Sequence, residues 1–123
     1  NWWNNKNIKK FVLLKKKNKP SAYHWIRSIK KRDKKIIISG WFLDKKEDDT
    51  LRASYKIIQH QKNIIKKNYK GYNWLININK KNSLSIRMNK SIGFKEASST
   101  SFDQAREIFN FDKKKFNVYE MKI

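Results

Sequence analysis

Residues Gly71 to Glu96, GYNWLININKKNSLSIRMNKSIGFKE, constrain the fold more than any other part of the chain. Trp74, Ile76 and Ile78 alternate with Asn73, Leu75 and Asn77, which is the two-residue period of a strand. Leu84, Met88 and Ile92 then recur at about one helical turn until Gly93 breaks the run. Strand, short helix and strand in so short a space require further strands beside them and helices packed on the sheet, so the chain reads as an α/β domain.

The rest of the chain supplies those partners. Phe11 to Leu14 is a short apolar run among lysines, and Asn18, Lys19, Pro20 and Ser21 provide turn chemistry before an extended run from Ala22 to Ile29. This predicts a hairpin whose second strand presents Tyr23, Trp25, Arg27 and Ile29 on one face and His24, Ile26 and Ser28 on the other. A charged turn around Asp33 leads to Ile36–Leu43, IIISGWFL, which reads as a strand buried on both faces. Asp44 to Asp49 holds four of the ten acidic residues, and Thr50 to Tyr69 predicts a helix with Leu51, Tyr55, Ile58, Ile65 and Tyr69 near one face. Asp49 or Thr50 caps it and Gly71 ends it. Ser101 to Phe111 predicts a short helix bearing Phe102, Ala105, Ile108 and Phe109, and Phe116 to Ile123 a final strand. Trp2 and Trp3 sit among asparagines without a clear period, as in the tail of an incomplete helix.

The order of these elements resembles the C-terminal part of the GNAT family of acyl-CoA-dependent N-acyltransferases. In that family a strand leads through an Asn-x-x-Ala/Ser helix into a Gly-Phe strand; here the match is Asn82, Ser85, Met88, Gly93 and Phe94. The resemblance runs from about Lys10 to Ile123 and lacks the family's first strand and its two following helices. It implies one GNAT-like domain over residues 1–123, a mixed sheet with flanking helices, truncated at its N-terminus; the chain opens on Asn1 and not on Met.

The resemblance also implies acetyl-CoA as acyl donor and an amine as acceptor. The main chain of Trp41, Phe42 and Leu43 would line the pantetheine cleft, with Asn77, Asn82 and Ser85 on its other wall. Where the family carries its Gln/Arg-x-x-Gly-x-Gly/Ala phosphate loop, this chain has Asp48, Asp49, Thr50, Leu51, Arg52 and Ala53. Arg52 and Ala53 keep a basic and a small residue, while Asp48 and Leu51 depart from the pattern; Glu47, Asp48 and Asp49 equally suit a helix N-terminus. Many members place a Tyr where Asn89 stands, and an amide cannot protonate a thiolate. His24 and Tyr72 are then the candidate proton-transfer groups, and each also reads as a structural side chain.

Charge supports a different class of partner. The chain carries 31 Lys+Arg against 10 Asp+Glu, a formal +21. The segment Lys6 to Lys35 has 13 basic residues and the single acid Asp33, interleaved with Phe11, Tyr23 and Trp25, which is the composition of an RNA or other polyanion surface. Only five of the basic residues are Arg, and Lys, Asn and Ile supply 56 of the 123 residues, so AT-rich codon usage explains the charge as well. The sequence leaves two readings: an N-acetyltransferase, or a non-catalytic basic RNA-binding protein such as a ribosome or other RNP component. Fold does not choose between them.

Several classes are excluded. With no cysteine there is no thiol catalysis and no Cys-ligated zinc, and no motif for a metal, a P-loop or a serine nucleophile occurs. No apolar run is long enough for a membrane span, so the chain reads as soluble and cytoplasmic or organellar.

Overall fold

The computed structural model describes residues 8–14, 20–43 and 50–123. The residues 1–7 that hold Trp2 and Trp3, the Asn18–Lys19 part of the hairpin turn, and residues 44–49 with Asp48 and the Asp49 cap lie outside them. The elements in chain order are β1 (Ile8–Leu14), β2 (Pro20–Lys31), β3 (Lys34–Leu43), α1 (Thr50–Asn68), β4 (Asn73–Asn79), α2 (Ser83–Ser91), β5 (Lys95–Glu96), α3 (Ser99–Phe109) and β6 (Phe116–Lys122). The strands form one mixed sheet in the order β1-β2-β3-β4-β6-β5, antiparallel everywhere except between β3 and β4.

Alternation along the strands divides the core into two layers. Ile26, Ile37, Trp74, Ile78 and Met121 pack with Ile58 and Ile65 of α1 and with Ile92 and Phe94 after α2. Ile36, Ile38, Leu75 and Val118 pack on the opposite face against Ala105 of α3. The strand–helix–strand reading of residues 71–96 therefore holds, and so does the two-sided burial expected for the first half of β3. The second half of β3 differs: Phe42 is 64% exposed.

The buried stripe of α1 is rotated from the expected one. Leu51 and Tyr55 face solvent, whereas Ser54, Ile57, Ile58, Gln61 and Ile65 are buried. Apolar counting misses this stripe because two of its members are polar. Gln61 is tolerated there because its amide donates to the carbonyls of Trp25, at 3.3 Å, and Gly40, at 3.1 Å. In α2 the same substitution of polar for apolar occurs, with Leu84 half exposed and Asn89 buried.

Asn82 caps α2, its side chain accepting from the Ser85 amide at 3.2 Å, and this gives the Asn-x-x-Ser spacing its physical meaning. Gly93 follows at φ +120, a conformation that other residues rarely adopt, and turns the chain so that Phe94 meets the Trp74 ring edge-on at 4.8 Å. Ser98 caps α3 in the same manner as Asn82 caps α2.

Gly40 is required for a different reason. Trp25 pairs with it across β2 and β3, and the indole lies so low over the strand that a Cβ at position 40 would meet ring atoms at 2.6 Å. Gly40→Ala should therefore cost about 2 kcal/mol, as overpacked sites do. In the background of Trp25→Thr the same change should be close to neutral. Denaturant midpoints of the four proteins in this cycle measure the coupling directly.

Candidate functional site

β3 and β4 share only two pairs of Cα partners, Ile36 with Asn73 and Ile37 with Trp74. Beyond them each strand stays with its outer neighbour: β3 follows β2 as far as the pair Leu43–Ala22, and β4 follows β6 as far as Asn79–Phe116. Two parallel strands that start together and then keep faith with opposite partners must part, and a wedge opens between their inner edges. The wedge contains a cavity of about 140 Å3. Its walls are Ser39, Gly40 and Trp41 on β3, Trp74, Ile76, Asn77 and Ile78 on β4, Ile58 and Gln61 on α1, and Ser85 and Asn89 on α2.

The polar groups of this cavity are held by short local bonds. At the narrow end the Trp74 indole N–H donates to Ser39 Oγ at 2.9 Å. On the α2 wall the Asn89 amide donates to the Ser85 carbonyl at 2.8 Å and to Ser85 Oγ at 3.3 Å. Gln61 spans from α1 to the β3 backbone as described above. The arrangement is a narrow slot of mixed polarity between two diverging strands, its polar groups fixed by local bonds, which suits a thin, extended ligand that itself carries polar groups.

Fold comparison adds to this geometry. The ribosomal-protein-S18-alanine N-acetyltransferase from Escherichia coli aligns at a TM-score of 0.61 and 13% identity, covering 94% of this chain and 69% of that one. An acetyltransferase from Agrobacterium tumefaciens aligns at 0.58 and 12% identity over 98% of this chain and 64% of its own. A GNAT superfamily phosphinothricin acetyltransferase from Sinorhizobium meliloti, solved in complex with AcCoA, aligns at 0.54 and 11% identity, over 93% and 60%. The fold is GNAT-like. No protein-family model and no curated protein matches the sequence, so the likeness is one of fold.

The GNAT-like frame brings together only part of the residues singled out from the sequence. Trp41, Asn77 and Ser85 line the cavity, and Asn82 holds the first turn of α2 beneath Ser85. Phe42 and Leu43 continue β3 toward the mouth of the wedge. Arg52 and Ala53 are in the first turns of α1, Arg52 exposed and Ala53 half-buried; at 1.5 Å per residue, Arg52 is about 9 Å along the helix from the cavity residue Ile58.

The two candidate proton-transfer groups do not meet each other or the cavity. Tyr72 precedes β4, about 17 Å of strand from Asn77, and rests edge-on against Tyr69. His24 is 1% exposed, stacked on Phe11 at 4.6 Å, with Nε2 hydrogen-bonded to His60 Nδ1 at 2.7 Å and Nδ1 without a partner. Burial, with the nearby His60 adding to it, lowers its pKa from 6.5 to about 4. Ser39, Gln61 and the Trp74 indole N–H are cavity groups that sequence reasoning did not reach, because nothing marks a serine, a glutamine or a core tryptophan as lining a gap.

The polyanion surface expected in Lys6 to Lys35 is also rearranged. Phe11 is on the α1 face against His24, whereas Tyr23 and Trp25 face the other way, so the three aromatics form no single platform. Among the described residues no helix is long and apolar enough to cross a membrane, and no group of three or more His, Asp or Glu is placed to hold a metal.

The His24 shift has a stability consequence. Its folded pKa lies below its unfolded value, so the unfolded chain binds the extra proton and stability falls as pH drops through the window from 6.5 to about 4. Wild type should lose about 3 kcal/mol more than His24→Leu between pH 7 and pH 4. Urea denaturation at closely spaced pH values gives both curves, and parallel curves would remove His24 as the cause.

Proposed function

We propose that the chain acts as an N-acetyltransferase that moves the acetyl group of acetyl-CoA to an amine. The observation that carries this reading is the parting of β3 and β4 after two residue pairs, with a narrow slot along their inner edges. Acetyltransferases with the same fold, one of them solved with AcCoA, support it at the level of fold.

The slot fits the acyl donor in size and in polarity. A cavity of about 140 Å3 has room for roughly five waters, comparable to an acetyl thioester and its first methylene. The longer pantetheine arm then runs outward along Trp41, Phe42 and Leu43, and the phosphates come to the mouth near Arg52 and Ala53. The nucleotide end stays outside the slot, where the +21 charge of the chain favours a polyanion.

Chemistry of this kind is mostly positioning. The neutral amine attacks the thioester carbon, the C–N bond forms with charge moving onto the carbonyl oxygen, the C–S bond then breaks as the carbonyl re-forms, and the products are an amide and a thiol. Burying the thioester between Ile58, Ile76 and Ile78 keeps water from the carbon, and fixed dipoles at the slot stabilise the developing charge. His24, at a pKa of about 4 and outside the cavity, is a weak base at neutral pH, so the amine is best served by losing its proton to solvent. The acceptor is an amine small or extended enough to reach the slot.

Calorimetric titration with acetyl-CoA tests the proposal. Saturable binding in the micromolar range should persist when salt is raised to several times physiological levels, because the slot holds an uncharged arm. Ile76→Trp, which enlarges a side chain on the β4 wall that faces α1, should weaken it at least tenfold. Binding that vanishes with salt and ignores Ile76→Trp would reflect the charge of the chain and defeat the reading.

A further inference from the structure

The slot contains several hydrogen-bond donors, and most are already spent. Both N–H bonds of the Gln61 amide go to the Trp25 and Gly40 carbonyls. Both of Asn89 go to Ser85, one to its carbonyl and one to Oγ. The single N–H of Trp74 goes to Ser39 Oγ. A hydroxyl that accepts on its oxygen still has one proton to give. Ser39 and Ser85 are in that state, and no hydrogen bond among the described residues uses either proton.

These hydroxyls are on opposite walls of the same cavity, Ser39 on β3 two residues past the last strand pair and Ser85 in the first turn of α2. Each accepts from a buried donor, Trp74 at 1% exposed and Asn89 at 6% exposed. Resting on the acyl-CoA reading above, we infer that Ser39 and Ser85 form a two-hydroxyl donor pair that stabilises negative charge on the thioester as it reacts, with Trp74 and Asn89 as positioning residues.

The step balances without an acid in the slot. The amine lone pair forms the bond to carbon while the carbonyl π pair moves onto oxygen. When that pair returns, the C–S bond breaks and its electrons leave on sulfur. Nitrogen releases one proton to solvent and the thiolate takes one from solvent, so amine and thioester become amide and thiol. The serine hydroxyls keep their protons and act as hydrogen-bond donors, strongest when the accepting atom is charged.

A thiolate is the charge that can be observed directly. The chain has no cysteine, so coenzyme A bound to it contributes the only thiol, and the ultraviolet absorbance of the thiolate reports its ionisation. Donors aimed at the sulfur favour the charged form, and losing one should raise the pKa of the bound thiol by about one pH unit. Ser85→Ala, which places a good helix former in α2, and Ser39→Ala should each show this rise, while Ser85→Thr and Ser39→Thr keep the wild-type value. The basic charge of the chain acts equally in all five proteins and drops out of the comparison.

Ser39→Ala strands the Trp74 N–H, so its folding is checked by circular dichroism, and Ser85→Ala decides the question where Ser39→Ala is unfolded. Coenzyme A that binds with the same thiol pKa in wild type and in the Ala variants overturns the donor pair and leaves the acyltransferase reading standing. Failure of wild type to bind coenzyme A overturns both. A rise in the Ala variants that the Thr variants reverse supports the pair.

Discussion

The parallel contact between β3 and β4 is the constraint on which the rest of the molecule depends. It joins a hairpin sheet of β1, β2 and β3 to a second sheet of β4, β6 and β5 through only two residue pairs. Such a seam is weak as a ladder, and packing on both faces has to hold it. Ile37, Trp74 and Ile65 pack on one face and Ile36, Leu75 and Ala105 on the other, so α1 and α3 clamp the seam from opposite sides. Asn73, at the start of β4, adds bonds to Ser101 Oγ of α3 at 3.2 Å and to the buried Glu120 carboxylate of β6 at 3.4 Å. Rigidity at one end of the seam is what allows the other end to stay open.

Beside the wedge, a polar side chain reaches into the core and is satisfied there. From the helix above, Gln61 donates to the carbonyls of Trp25 and Gly40, which are partners across β2 and β3, while the Trp25 indole covers Gly40 on the far side. The glycine, the indole and the amide form one unit across three elements. Its polar member is nearly as buried as its apolar ones, with Gln61 at 1% exposure. Buried amides of this kind are stable only when their bonds are made.

Much of this architecture is legible in the chain, and the limits of legibility have physical causes. The strand period of residues 73–79, the Asn82 cap and the Gly93–Phe94 turn are local, so the residues that form them also announce them. The order of elements from the hairpin to the final strand follows for the same reason. The stripe of α1 was displaced because Ser54 and Gln61 are polar residues in buried positions, satisfied by groups more than twenty residues away in the case of Gln61. The site was legible where it coincides with a local motif, as at Ser85, and illegible where it arises from convergence, as at Ser39 and Trp74. His24 drew attention as an imidazole, yet its neighbours Phe11 and His60 make it a core residue. Chemistry-bearing residue types are a poor guide where burial decides their state.

The order of strands also bears on how the molecule behaves among copies of itself. Among the described residues the six-stranded sheet ends at β1 on one side and β5 on the other, and edge strands recruit other strands. At one edge β5 is two residues long, too short to template a ladder. At the other, β1 carries exposed Lys9 and Lys10, and a second β1 laid against it would set ammonium groups beside ammonium groups. Part of the charge of this chain therefore has a use that requires no ligand: it makes the β1 rim of the sheet a poor surface for self-association.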